Sequence, residues 1–385
     1  MANAKPGREM TDMINRWMGH GGSVSIGPYK PIEKMIAAFE MTRPLLSTMG
    51  PPLAGAAAVL SISSIPSIPK IIFGSLAVII AAFGIHTFND WVDRERDKQA
   101  WPMRAIPTGR IQPKTAFILS MSYFIIAITM TYFLINSTTS LILFIALFLG
   151  CLYCLRLRDK IGYLSLPFII GLFPIGGWTA FSPKTLFHSP MPWILFAMAW
   201  LWQAGHIMVH SAGHPVKEIN GKRITETKGF FFSTTPAQAA ILGLVFLILT
   251  FVLSITIYFI SPLGYLYLAL SIISAIYVIV PAYKLLKNPE NKAKSLTAFN
   301  AASNYLIMVN MAIIIDIFVQ TVLWKYLASP VSILRTHLGL WLWPVIFAAL
   351  ATIIGFLFLA IFILKEIINY SVQRRKRNIN SLVRG

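Results

Sequence analysis

Asn89-Asp90-Trp91-Val92-Asp93-Arg94-Glu95-Arg96-Asp97 closes an apolar run and leads into Pro102-Met103-Arg104-Ala105-Ile106-Pro107-Thr108-Gly109. The chain of 385 residues contains only six aspartates, and three of them stand in this stretch at steps of three and four. On a helix those steps place Asp90, Asp93 and Asp97 on one face. Like charges stacked in that way repel, which costs free energy unless a cation lies between them. Mg²⁺ meets the need, because it takes hard carboxylate oxygens and completes its shell with water and substrate phosphates. A solvated helix end with Arg94, Arg96 and Lys98 as counter-charges is the plainer alternative. At the mouth of a membrane helix, in a chain so poor in aspartate, the metal reading is favoured.

The surrounding composition is that of a polytopic membrane protein. Mean hydropathy is +0.68, with 56% hydrophobic and 12% charged residues. Two cysteines exclude a disulfide framework, and Cys151 and Cys154, three apart in an apolar run, are read as lipid- or core-facing thiols. The first residues are polar and basic without an apolar core, so no cleavable signal peptide is expected.

Ten apolar segments are long enough for a hydrocarbon core of ~30 Å, which takes about 20 helical residues. They run near 45–64, 70–88, 116–136, 139–156, 163–182, 192–210, 237–260, 263–283, 298–321 and 339–364. Residues 30–43 mix apolar and charged side chains as an amphipathic surface helix does. With the N-terminus inside, 29 of the 33 Lys and Arg fall on the inner side, leaving Lys70, Lys184, Lys325 and Arg335 outside. The expectation is an integral protein of the plasma or cytoplasmic membrane with both termini cytoplasmic. The charge of +19 then faces anionic lipid headgroups, not nucleic acid.

Asn-Asp-x-x-Asp-x-x-x-Asp followed by Pro-x-Arg and Ile-Pro-Thr-Gly resembles the first aspartate-rich motif of the UbiA superfamily of intramembrane prenyltransferases. The wording Asn-Asp-Trp-x-Asp-Arg is most like its bacteriochlorophyll synthase branch. The resemblance implies an all-α UbiA-like helical bundle with about nine core transmembrane helices. It also implies Mg²⁺ on Asp90, Asp93 and Asp97, with Asn89 and Arg104 positioning the diphosphate of a polyprenyl donor. It covers about 43–321, within a domain of 30–321. A basic N-terminal tail (1–29) precedes that domain, and an extra transmembrane helix with a basic cytoplasmic tail (322–385) follows it.

The family places a second aspartate-rich motif in the loop after the sixth span. Here that loop reads His214-Pro215-Val216-Lys217-Glu218-Ile219-Asn220-Gly221-Lys222-Arg223, with Lys222 where an acid is expected and Glu218 the carboxylate within reach. Two readings stay open. Lys217, Lys222 and Arg223, with His214 and Glu218, could contact the diphosphate directly. Alternatively the loop has lost catalysis and the protein binds an isoprenoid, quinone or tetrapyrrole without reacting it.

His206, His210 and His214, four apart, share a helix face, which suits metal or tetrapyrrole ligation, diphosphate contact or plain packing. A Trp-Gln-x-x-His run also resembles the haem O synthase branch. Asp316 is a lone carboxylate in a span, a costly placement, either facing a cavity or snorkelling to the outer end of its helix. Asn304 and Asn310 are expected to bond between helices. Trp91, Trp101, Trp200 and Trp202 flank the expected site as prenyl contacts or as an interfacial aromatic belt.

The reading is a Mg²⁺-dependent membrane prenyltransferase that moves a polyprenyl group from its diphosphate to a hydrophobic acceptor. Its rival is a catalytically degenerate binding subunit of the same fold. A transporter is disfavoured, because charge is nearly absent from the spans.

Overall fold

Proline or glycine stands at the start of most helices in the computed structural model. It describes residues 14, 16–18, 29–219, 222–225, 228–229 and 232–323. The expected tenth span and basic C-terminal tail lie outside the described residues, as does most of the N-terminal tail.

Helix α1 (Pro31–Met41) is the amphipathic segment, with Ile32, Met35, Ile36 and Phe39 exposed and Ala37, Glu40 and Met41 buried. A single turn, Pro44–Ser47, precedes α2 (Gly50–Ile62), which starts at Gly50-Pro51-Pro52. Proline fits a first helical turn but cannot continue a helix, and Pro31–Ser47 meets Gly50–Ile62 at a bend of 41° near the start of the expected span 45–64. Then come α3 (Ile68–Val92), the short α4 (Arg94–Ala100), α5 (Pro113–Leu134) and α6 (Ser137–Leu152). A π turn, Tyr153–Leu157, carries α6 on to Lys160. The chain continues through α7 (Leu166–Phe181), α8 (Met191–Ala212), α9 (Pro236–Ile260), α10 (Tyr265–Leu286) and α11 (Lys292–Phe318).

Six described helices are long and apolar enough to cross a membrane, or seven if the bent pair is one span. By length and composition the expected count of nine is not confirmed. Helix α7 is only 16 residues long with Pro174 inside it, and α8 is not among the six.

Consecutive helices pack side by side from α5 to α11, and α11 closes the circuit against α2, which also packs on α3 and α7. In lipid there is little hydrophobic drive between helices, so close approach through small residues carries the packing. At the α8–α9 contact a Cβ on Gly205 would lie 3.1 Å from the Gly243 carbonyl oxygen, and one on Gly243 would lie 3.0 Å from the Val209 nitrogen. The outward faces carry Ile72, Ile125, Phe144, Ile248 and Ile276 exposed, the pattern of a lipid-facing surface.

The loop after α8 carries the short strands of this otherwise helical chain, among the described residues. Strands β1 (Pro215–Ile219) and β2 (Lys222–Thr225) pair antiparallel, and β3 (Lys228–Gly229) pairs with β4 (Phe232–Ser233). Strand β3 contacts the turn Tyr163–Ser165 just beyond the end of α6. Both loops flagged in the sequence therefore lie at one end of the bundle.

Candidate functional site

The first motif straddles a break in helix geometry. Helix α3 ends at Val92 and α4 starts at Arg94, with Asp93 between them at φ −83°, ψ 2°, the bridge region common at sites. The ladder survives the break: Asp93 N–H bonds to the Asn89 carbonyl at 2.9 Å and Asp97 N–H to the Asp93 carbonyl at 2.8 Å. Asp90, Asp93 and Asp97 are all at most 6% exposed. Three carboxylates so desolvated demand counter-charge.

Arginines from four places supply it. Arg43 Nη2 donates to Asp90 Oδ1 at 2.5 Å and to Asn89 Oδ1 at 3.2 Å. Arg158 forks onto Asp93, with Nη2 to Oδ1 at 2.6 Å and Nη1 to Oδ2 at 2.8 Å. Arg96 reaches Asp93 Oδ2 at 2.7 Å, and Asn89 Nδ2 reaches it at 3.0 Å. Arg104 Nη1 binds Asp97 Oδ2 at 2.7 Å and lies 3.6 Å from Asp90 Oδ1. Four guanidinium groups thus face three carboxylates, and the surplus positive charge is what an anionic group would find there.

Two of these arginines, Arg158 and Arg43, lie outside the first motif. Arg158 sits just past the π turn; such turns interrupt helices mostly at functional sites. Read from sequence it is one of several basic loop residues. Arg43 holds φ +47°, ψ 63°, immediately before Pro44, a left-handed conformation that is costly for a residue with a long side chain. An Arg-Pro pair at the head of the first apolar run was the available signal for it.

The residues present can be tested against a divalent cation. Among the described residues no three His, Cys, Asp or Glu side chains are gathered closely enough to hold a metal by themselves. The expected stack is split among separate arginines. Yet Asp97 Oδ1 is buried without a hydrogen-bond partner. Burial also pushes the Asp97 carboxyl above the usual aspartate range, opposed by Arg104 and reinforced by Asp90 and Asp93. An orphaned carboxylate oxygen beside a second carboxylate fits Mg²⁺, which uses one or two carboxylates plus phosphate oxygens and water.

In the second loop, Lys217 stands opposite Ile224, Glu218 opposite Arg223, and Ile219 opposite Lys222 in the β1–β2 register. Glu218 is exposed, unlike the three buried aspartates. Helix α8 ends at Ala212, short of His214. His214 Nδ1 lies 2.9 Å from the His210 carbonyl oxygen, and the two rings stack at 4.5 Å. His206 packs between Trp202 at 5.2 Å and Phe299 at 4.1 Å. The three histidines make an aromatic column and not a converging ligand set.

Other flagged residues are structural in this arrangement. Trp202 Nε1 donates to the Ala302 carbonyl at 2.6 Å, and Trp200 packs on Phe168 and Phe246. Trp91 packs at a tilt against Phe117 and Phe88, whereas Trp101 lies under the Arg104 guanidinium at 5.3 Å. Cys154 is buried, its Sγ 3.7 Å from Asn89 Nδ2. Asn304 bonds across to Tyr277 as expected of an interhelical link, but Asn310 returns to the Leu306 carbonyl of its own helix. Asp316 accepts from Gly264 N–H at 2.8 Å and Tyr267 N–H at 3.1 Å. It caps the start of α10, so the expected choice between a cavity and the lipid interface does not arise.

Comparison with known proteins gives a consistent outcome. Residues 49–304 match the UbiA prenyltransferase family. The digeranylgeranylglyceryl phosphate synthase of Methanosphaera stadtmanae is 28% identical over 229 residues, spanning 58% of this chain and 79% of that protein. A solved structure concerning digeranylgeranylglyceryl phosphate synthase in membranes superposes with a TM-score of 0.57 at 20% identity, covering 74% of this chain and 99% of that one. A UbiA homologue from Archaeoglobus fulgidus, solved with DMAPP and Mg²⁺, gives 0.50 at 15% identity, covering 71% and 97%. These likenesses do not single out the bacteriochlorophyll synthase branch.

Proposed function

We propose that this chain, which belongs to the UbiA prenyltransferase family, transfers a polyprenyl group from its diphosphate to a lipophilic acceptor within the membrane. The observation that carries the reading is the three buried carboxylates, met by four arginines, at one end of an apolar helical bundle. Asp90, Asp93 and Asp97 would hold Mg²⁺, which supplies charge neutralisation to a leaving diphosphate.

The side chains do the rest. Arg43, Arg104 and Arg158 concentrate positive charge where negative charge builds on the departing oxygen as the allylic C–O bond breaks. Asn89 fixes two of the partners, accepting from Arg43 and donating to Asp93. Lys217, Lys222 and Arg223, on the hairpin at the same end, would add contacts to the diphosphate, with His214 and Glu218 at its margin. The surrounding helices exclude water from the allylic cation, so the acceptor captures it. The excess of Lys and Arg in the inner loops supports a cytoplasmic orientation for this end and for both termini.

The test is transfer of labelled geranylgeranyl diphosphate by purified protein supplied with a lipid extract of its native membrane. The label should enter a new lipid with Mg²⁺ and not with EDTA, and Asp90→Ala should abolish the transfer. Binding without turnover in any extract would replace this reading with that of an isoprenoid-binding subunit.

A further inference from the structure

Arg110 lies outside the cluster of carboxylates, yet it is 4% exposed and pairs with Glu40, itself 7% exposed, through Nη1 and Oε2 at 2.7 Å. A buried ion pair is weak as a source of stability, because desolvating both charges offsets most of their attraction. What it supplies is a fixed geometry, and here the geometry concerns the turn that presents Arg104.

The contacts surround that residue. Arg110 Nη2 donates to the Met103 carbonyl at 3.0 Å, directly before Arg104. Its Nε donates to Thr108 Oγ1 at 3.1 Å, and that hydroxyl donates to the Arg104 carbonyl at 2.9 Å and the Ala105 carbonyl at 3.2 Å. The turn is closed by Thr108 N–H to the Arg104 carbonyl and Ile111 N–H to the Ala105 carbonyl, each at 3.1 Å. Tyr29 Oη reaches the Thr108 carbonyl at 3.1 Å. On the other side, Glu40 is anchored in amphipathic helix α1 and is also met by Arg16 at 3.5 Å. None of the Arg110 hydrogen bonds goes to Asp90, Asp93 or Asp97.

We infer that Glu40 and Arg110 are positioning residues that hold the 103–110 turn against α1 and thereby set the Arg104 guanidinium between Asp97 and Asp90. The inference rests on the proposed diphosphate chemistry of the site and extends it to residues one layer removed. It also ties the site to the lipid surface, since α1 exposes Ile32, Met35, Ile36 and Phe39 on its free side.

The test is calorimetric titration of the purified full chain in nanodiscs with inorganic pyrophosphate and Mg²⁺. Arg110→Lys keeps the charge but loses the fork, and Glu40→Gln keeps the shape but loses the charge. Each should weaken binding about tenfold, the effect of a displaced charge-assisted contact. In an Arg104→Ala background the Arg110→Lys change should weaken it no further, since coupled residues are non-additive. A purely structural role predicts the opposite, with equal loss in both backgrounds, and overturns the inference; so does unchanged affinity in both single variants. Where Arg110→Lys does not fold, Thr108→Val removes the bridging hydroxyl without touching a charge and carries the same comparison. Failure of the unsubstituted chain to bind Mg²⁺-pyrophosphate would overturn the proposed function and this inference with it, whereas normal binding with additive variants overturns the inference alone.

Discussion

Replacing Asp316 separates a carboxylate that does chemistry from one that holds a helix. Its Oδ2 accepts from Gly264 N–H and from Gln320 Nε2 at 2.5 Å, and its Oδ1 accepts from Tyr267 N–H. Asp316→Asn leaves one oxygen, so at least one buried backbone N–H at the start of α10 loses its acceptor, at about 1–3 kcal/mol. Loss of the negative charge at a helix N-terminus adds roughly 0.3–2 kcal/mol. Together the change should destabilise the protein by about 1–5 kcal/mol. Asp316→Ala orphans both N–H groups and should cost more than the Asn variant. The carboxylate lies near the opposite end of α11 from Ser295, whose Oγ bonds the His210 carbonyl at 2.9 Å beside the second loop. At 1.5 Å per residue, that is roughly 30 Å from the chemistry. Denaturant unfolding of the purified protein should therefore show the loss, while kcat at a permissive temperature stays within about twofold, as for a site too distant to couple. Full stability with abolished transfer would refute the capping argument and give Asp316 a catalytic role.

Arg158→Gln should destabilise by about 3–5 kcal/mol, because it leaves Asp93 buried without its fork. A double-mutant cycle with Asp93→Asn read by unfolding should show strong coupling, and additive losses would refute the pairing. The raised Asp97 carboxyl fixes the sign of a pH effect. Its proton is held to a higher pH than an ordinary aspartate's, so Mg²⁺-dependent binding should fall on acidification before the usual carboxylate range is reached, a limb that Asp97→Asn should remove from a pH titration. On the stability side a raised carboxyl contributes below its unfolded pKa and loses that contribution as pH rises through the folded one. His206→Phe keeps an aromatic ring between Trp202 and Phe299 and should leave transfer within about twofold, since that ring packs in the aromatic column and contacts none of the three aspartates. A large loss of turnover in that variant would return His206 to the site.

Much of this molecule is legible in its sequence, because the rules involved are local. Apolar length dictates helices where lipid leaves backbone groups no partner outside the chain, and the steps between Asp90, Asp93 and Asp97 follow from helical periodicity. The first motif points to the prenyltransferase family to which the chain belongs. The helix count was less legible, since Gly50-Pro51-Pro52 and Pro174 shorten or bend apolar runs that hydropathy alone extends. The hairpin after α8 was missed because its short segments carry no strong period.

Only the tertiary structure decided which charge answers which. Asp93 is met by Arg158 from 65 positions away and Asp90 by Arg43 from 47. Glu40 finds Arg110 across 70 positions, and Asp316 finds its N–H donors across 49 and 52. No local spacing encodes such pairs. They form because helix packing carries desolvated charges toward one another, and a buried charge persists only where an opposite charge or a set of donors has been brought to it.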